Sequence, residues 1–160
     1  GQFVAEVRGL TQKFQQNIGE LYGPTCRAVF GDARCKINLA SYTASGTVNT
    51  VTSRQVFISN AMTQAAGYFS GGEVVWLTGA NAGRRMEIKE FSNKQFTLVL
   101  PMPNAVVVSD TFSAIAGCDK TFNTCFAKFA NAVNFRGEPH VPGMDKFLAP
   151  AATSNDLQRS

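Results

Sequence analysis

No apolar run in this chain approaches the ~20 residues that a bilayer-spanning helix needs. No run of Lys or Arg exceeds the pair Arg84-Arg85. The first absence excludes a membrane-spanning helix. The second leaves no nucleic-acid footprint in the sequence, since such a footprint is a cluster of basic charge. The G-x4-GK-[ST] pattern of a phosphate loop is missing too, and ANAGRR at 80 to 85 reads as a hairpin turn carrying two exposed arginines. Internal repeats and low-complexity tracts are absent. The opening GQFVAEVRGL lacks a charged stretch ahead of an apolar one, so it is not a secretory signal. It starts without Met, inside a strand-like pattern, as a piece of a longer protein would.

What is present suits one globular domain. The 160 residues can bury a core without staples, and 44% of them are hydrophobic. Thirteen Phe stand against one Trp and three Tyr, and they recur inside apolar patterns, which marks them as core fillers. A net charge of +4 with a pI near 9.0 is a mild bias and describes a solvated surface.

The hydrophobic period divides the chain. FVAEVR at 3 to 8 alternates like a half-buried strand, and Leu10, Phe14, Ile18 and Leu21 are spaced for an amphipathic helix ended by Gly23-Pro24. From Gly46 to Gly117 the texture is β. TVNTVTSRQVFIS, EVVWLTG, RRMEIKEF, KQFTLVLPMP and AVVVSDTFSAIAG follow one another at intervals of roughly ten residues. Met86 and Ile88 alternate with Glu87 and Lys89; Phe96, Leu98 and Leu100 alternate with Thr97 and Val99. Ser92-Asn93 between them marks a hairpin turn. After Gly117 the period is helical again, with Asp119 as N-cap and Phe122, Phe126 and Phe129 as an apolar stripe. The expected fold class is α+β: a small, mainly antiparallel β barrel or sandwich over about 47 to 115, flanked by helices near 10 to 21 and 119 to 130. A single domain is expected over 1 to 149, with a tail that frays at 150 to 160.

The four cysteines lie in two pairs that bracket the β region. Cys26 and Cys35 belong to PTCRAVFGDARCKINL, residues 24 to 39; Cys118 and Cys125 belong to GCDKTFNTC, which opens the segment 117 to 143. Three readings compete. Buried free thiols are the plainest, but three of the four cysteines adjoin only polar or turn residues. Disulfides are permitted by the even count. If 118 to 125 are helical, however, the second pair is about 10 Å apart by helical rise, beyond the roughly 7 Å that a bridge spans. The third reading is a metal site, structural zinc or an iron–sulfur cluster, with no histidine matching the set. C-x8-C and C-x6-C are neither zinc knuckles nor a bacterial ferredoxin run. Four thiolates around Zn²⁺ or a [4Fe–4S]²⁺ core carry net −2, and Arg27, Arg34, Lys36 and Lys120 adjoin the cysteines to offset that charge. Spacing alone sets metal modestly ahead of disulfide and leaves zinc and cluster open.

FVAEVRGL, then C-RAVFGDAR-C-K, then GCDKTFNTC-x3-F-x-N-x2-NFRGEPHVPG resembles the C-terminal part of the phage, prophage and gene-transfer-agent tail hub family. The cysteine spacing is also similar to that of the lambda-type tail-tip protein L, which carries an iron–sulfur cluster. The resemblance covers nearly the whole chain and departs from the lambda type in the long β insertion between the pairs. The N-terminal half of the hub family is expected to lie outside this chain. The resemblance implies a [4Fe–4S] cluster held by Cys26, Cys35, Cys118 and Cys125, with a structural zinc on the same four cysteines as the alternative. It implies a structural and assembly protein at the virion tail tip, made in the bacterial cytoplasm. The implied partners are the distal tail ring and the host-recognition fibre or tip protein, with a homotrimer as the assembled form. No specific nucleic acid and no membrane anchor belong to this picture.

The competing class is a cysteine/histidine hydrolase. It would need one cysteine singled out beside His140, whereas all four fall in two matching contexts. Asp32, Asp110, Asp119, Glu138 and Asp145 show no spacing that specifies a catalytic pair. No catalytic residue is expected. Asp32 in FGDARC and Arg136 in NFRGEP are expected to fix the loops around the cysteines by hydrogen bonds.

Overall fold

A computed structural model describes residues 22 to 141. The strand expected at 3 to 8, the helix expected at 10 to 21, Asp145 and the tail at 150 to 160 lie outside these residues.

Seven strands make the body: β1 (Thr43–Thr47), β2 (Thr50–Val51), β3 (Val56–Ile58), β4 (Glu73–Trp76), β5 (Arg85–Ser92), β6 (Gln95–Leu98) and β7 (Thr111–Ile115). They pair antiparallel in the order β1-β7-β4-β5-β6-β3-β2. The outermost strands of that order, β1 and β2, are consecutive in the chain. Between them Val48 donates to the Asp110 carbonyl at 2.9 Å, on the β7 side, and Asn49 donates to the Ile58 carbonyl at 2.8 Å, on the β3 side. One bent segment thus joins the two edges and rolls the sheet into a half-barrel. The opposite corner is a bulge in β5 between Ile88 and Glu90: Arg85 to Glu87 pair with β4, while Ile88 and, past the bulge, Glu90 to Ser92 pair with β6. The bulge also explains the apolar spacing, since Ile88 and Phe91 are both buried with two exposed residues between them.

Alternation puts one face of each strand inside. Phe57, Trp76, Phe91, Phe96 and Phe112 are fully buried, joined by Phe69 from a loop. Phe57 stacks on Phe96 with centroids 5.2 Å apart and meets Phe112 edge-on at 5.1 Å. The hairpin between β5 and β6 turns at Asn93-Lys94, both left-handed (φ 49° and 65°), which gives the twist that a two-residue hairpin requires. The ANAGRR turn joins β4 to β5 as expected. Its Arg85 pairs with Glu73 across the strands at 3.0 Å.

Three expectations need correction. Strand β6 stops at Leu98, so Leu100 is exposed rather than inward; Pro101 and Pro103 follow and cannot donate to a ladder. Val107 and Val108 are exposed loop residues, because the chain turns at left-handed Ser109 (φ 78°) while the Val107 amide donates to the Asp110 carboxylate. The helix expected over 119 to 130 is the six-residue α1 (Phe122–Ala127), capped by Thr121 rather than Asp119. Left-handed Lys120 (φ 63°) and Ala130 (φ 49°) bound it. Asp119 supports the cap from outside, accepting from the Thr121 amide and from both threonine hydroxyls. Phe122 and Phe126 are consequently exposed, and of the expected stripe only Phe129 is buried.

Candidate metal centre

Residues 22 to 38 and 117 to 138 fold over one another beside the half-barrel. Between them run Cys26 N–H to the Lys120 carbonyl (2.8 Å), Arg27 N–H to the Arg136 carbonyl (3.1 Å) and Glu138 N–H to the Gly23 carbonyl (2.8 Å). Arg27 grips Glu138 with both guanidinium nitrogens, at 2.7 and 2.9 Å. Gly137 lets the strands of this clasp close, because a Cβ there would stand 2.6 Å from the Thr25 carbonyl oxygen. Lys128 fastens α1 to the barrel, donating to the carbonyls of Tyr68 and Gly117 at 2.6 and 2.8 Å.

Inside this clasp all four cysteines line one cavity, together with Phe30, Lys120, Phe129 and Asn131. Segments separated by the whole β region meet there. None of the four cysteines is in a disulfide. The helical-rise argument against bridging Cys118 to Cys125 does not hold, since α1 begins only at Phe122.

Each cysteine loop is held by specific donors. Asp32 accepts from the amides of Val29 (3.0 Å), Arg34 (2.9 Å) and Cys35 (2.6 Å), so its carboxylate shapes the turn that presents Cys35. The Cys35 amide is the largest of the influences holding the Asp32 carboxyl below its ordinary range. Arg136 acts through its backbone: its N–H faces the Cys26 sulfur at 3.4 Å. Asn131 donates from Nδ2 to the Cys35 carbonyl at 2.7 Å, with the same nitrogen 3.8 Å from the Cys35 sulfur. Of the four basic neighbours expected to offset ligand charge, Lys120 alone lines the cavity, and its ammonium donates to the Ala28 carbonyl at 2.6 Å.

Burial pushes up the thiols of Cys118 and Cys125. For Cys125 the nearness of the Cys26, Cys118 and Cys35 sulfurs adds to the rise; for Cys118 the Lys120 amide and charge work against it. Burial thus disfavours the thiolates of Cys118 and Cys125, and a bound cation would favour them.

The donor set fits such a group. Sulfur is the ligand for zinc and for iron–sulfur clusters, and N–H groups already face two of the four sulfurs. Left-handed residues follow closely on Cys35 and Cys118 (Lys36 and Lys120), the kind of turn that gathers backbone N–H groups around anionic centres. Among the described residues, no group of three or more His, Cys, Asp or Glu stands close enough together to hold a single ion. The free space is about 10 Å³, the size of a water molecule; the fit rests on the donors and their backbone and not on a ready-made void.

His140 is exposed and does not line the cavity, and no Cys–His pair is assembled among the described residues. Asp110 sits in a barrel loop, and Glu138 is engaged by Arg27. Asn131 was not singled out by the sequence as a site residue, although it stands in the F-x-N-x2-NFRG run.

A family model described as "Phage conserved hypothetical protein BR0599" matches residues 67 to 145. A second, described as "Baseplate hub protein, N-terminal attachment domain", matches residues 1 to 38. No curated protein matches the chain. Among solved structures, a chain of "Virion of native gene transfer agent (GTA) particle" is 32% identical and superposes with a TM-score of 0.74 over 92% of this chain. This chain spans about half of that one, 53% of its length. The first family model takes in Cys118 and Cys125 and the second takes in Cys26 and Cys35, and together with the virion match they make this chain similar to the hub-type tail proteins of phages and gene transfer agents.

Proposed function

We propose that the chain is a structural and assembly module of a phage-like tail tip, in which Cys26, Cys35, Cys118 and Cys125 hold one [4Fe–4S] cluster. The observation that carries this reading is the convergence of all four cysteines, from two distant segments, on one cavity. A cluster with four cysteinyl ligands has no open position for substrate, so its contribution is to fasten the clasp. Because the ligands come from both ends of the described chain, binding the group and folding the clasp are coupled. The partners in this reading are the distal tail ring and the fibre or tip protein, with three copies in the assembled tail of the virion. The exposed Phe126, Val133, Leu100 and Val108 give the module apolar surface for such contacts.

The test is the visible spectrum of protein purified without oxygen. A brown protein with broad absorption that bleaches on adding dithionite is the expected result. Colourless protein under the same conditions would overturn the cluster.

A further inference from the structure

We propose that Asn131 is the positioning residue of the cysteine centre, latching the upstream cysteine loop to the downstream one and directing an N–H at the Cys35 sulfur. This rests on the reading of the four cysteines as one centre.

Asn131 touches both cysteine pairs. Through its side chain it reaches upstream: Nδ2 donates to the Cys35 carbonyl at 2.7 Å and lies 3.8 Å from Cys35 Sγ. Through its backbone it reaches downstream: its N–H donates to the Cys125 carbonyl at 3.0 Å, and in the metal-free protein its carbonyl accepts from the Cys125 thiol at 3.3 Å, a bond that ligation of Cys125 would remove. The geometry is imposed from outside. Left-handed Ala130 turns the chain back on α1, which brings the Asn131 amide over Cys125. Asn134 then fixes the carboxamide's orientation, its Nδ2 donating to Asn131 Oδ1 at 2.7 Å. With Oδ1 so committed, the Nδ2 side of the carboxamide must face Cys35. A donor is needed there: a ligating thiolate is an acceptor only, and N–H groups facing cluster sulfurs stabilise the more reduced, more negative state.

Aspartate at this position keeps the shape and removes both N–H donors, and Asn131→Ser keeps a polar side chain too short to reach Cys35. The experiment measures alkylation of each cysteine by iodoacetamide in metal-free protein, read by peptide mass spectrometry, for the parent, N131D and N131S. Cys35 should react about tenfold faster in N131S, which removes the latch without adding charge, while Cys26, which faces the Arg136 amide, keeps its parent rate. In cluster-loaded protein the reduction potential of N131D should move to a more negative value. Unchanged Cys35 reactivity in N131S, or equal exposure of all four cysteines there, would overturn the latch. A parent that takes up no iron while Cys35 alone is unmasked would sink the cluster reading and leave the latch standing. A brown parent with no change at Cys35 would do the reverse.

Discussion

Arg27 and Glu138 face each other across the clasp, the guanidinium giving two hydrogen bonds of 2.7 and 2.9 Å to one carboxylate from a residue 111 positions away. The Gly23 amide donates to the same carboxylate at 3.0 Å. The pair is about one quarter exposed, so water screens it in part, yet it sits where the two cysteine-bearing segments are stitched together.

These contacts, led by the Arg27 hydrogen bonds, hold the Glu138 carboxyl below its ordinary 4.5. A depressed folded value means that the stabilisation is fully present above about pH 4.5 and is lost as pH falls through the folded value. Glu138→Gln should lower Tm at pH 7, with the gap between parent and variant closing as pH drops below 4.5. Thermal melts followed across pH 7 to 3 check this; a gap independent of pH would mean that the carboxylate charge plays no part.

Gly117 marks the handover from β7 to the Cys118 loop. A Cβ there would collide with the Ser70 carbonyl oxygen, which is backbone and cannot swing away. Gly117→Ala should cost about 3 kcal/mol or more of stability, at the upper end of overpacking effects. Gly23→Ala, where a Cβ meets nothing, should stay within about 0.5 kcal/mol of the parent. Urea unfolding of both variants makes the comparison.

Lys94 occupies the second left-handed position of the hairpin between β5 and β6. Lys94→Gly removes the Cβ penalty at that φ, in part offset by glycine's greater freedom in the unfolded chain, and should stabilise the protein by about 0.5–1 kcal/mol, about 1–4 °C in Tm. A lower Tm would show that the lysine side chain contributes more than the turn strain costs.

The strands were legible because local alternation decides them: Phe96 and Leu98 point inward and Glu87 and Lys89 outward, as their period requires. Ends of elements were not legible where a left-handed residue or a proline intervenes. Lys120 and Ala130 trim the last helix, and neither is a glycine that would have announced the turn. Asp32 was readable as a loop-fixing residue, being an Asp three residues before a cysteine in a glycine-marked turn. Cysteine spacing carried little information about convergence, because the meeting of Cys26 with Cys118 and Cys125 depends on the roll of the barrel between them. The role of Asn131 was hidden for the same reason: its partner Cys35 is 96 residues away.

The most direct measurement is iron and acid-labile sulfide per chain in protein purified without oxygen, for the parent and for each of Cys26→Ser, Cys35→Ser, Cys118→Ser and Cys125→Ser. The account predicts about four irons and about four sulfides per parent chain, as a [4Fe–4S] cluster contains, and a loss of iron together with a lower Tm in every variant. One zinc per chain with no sulfide, or a variant that keeps its full iron content, would contradict it.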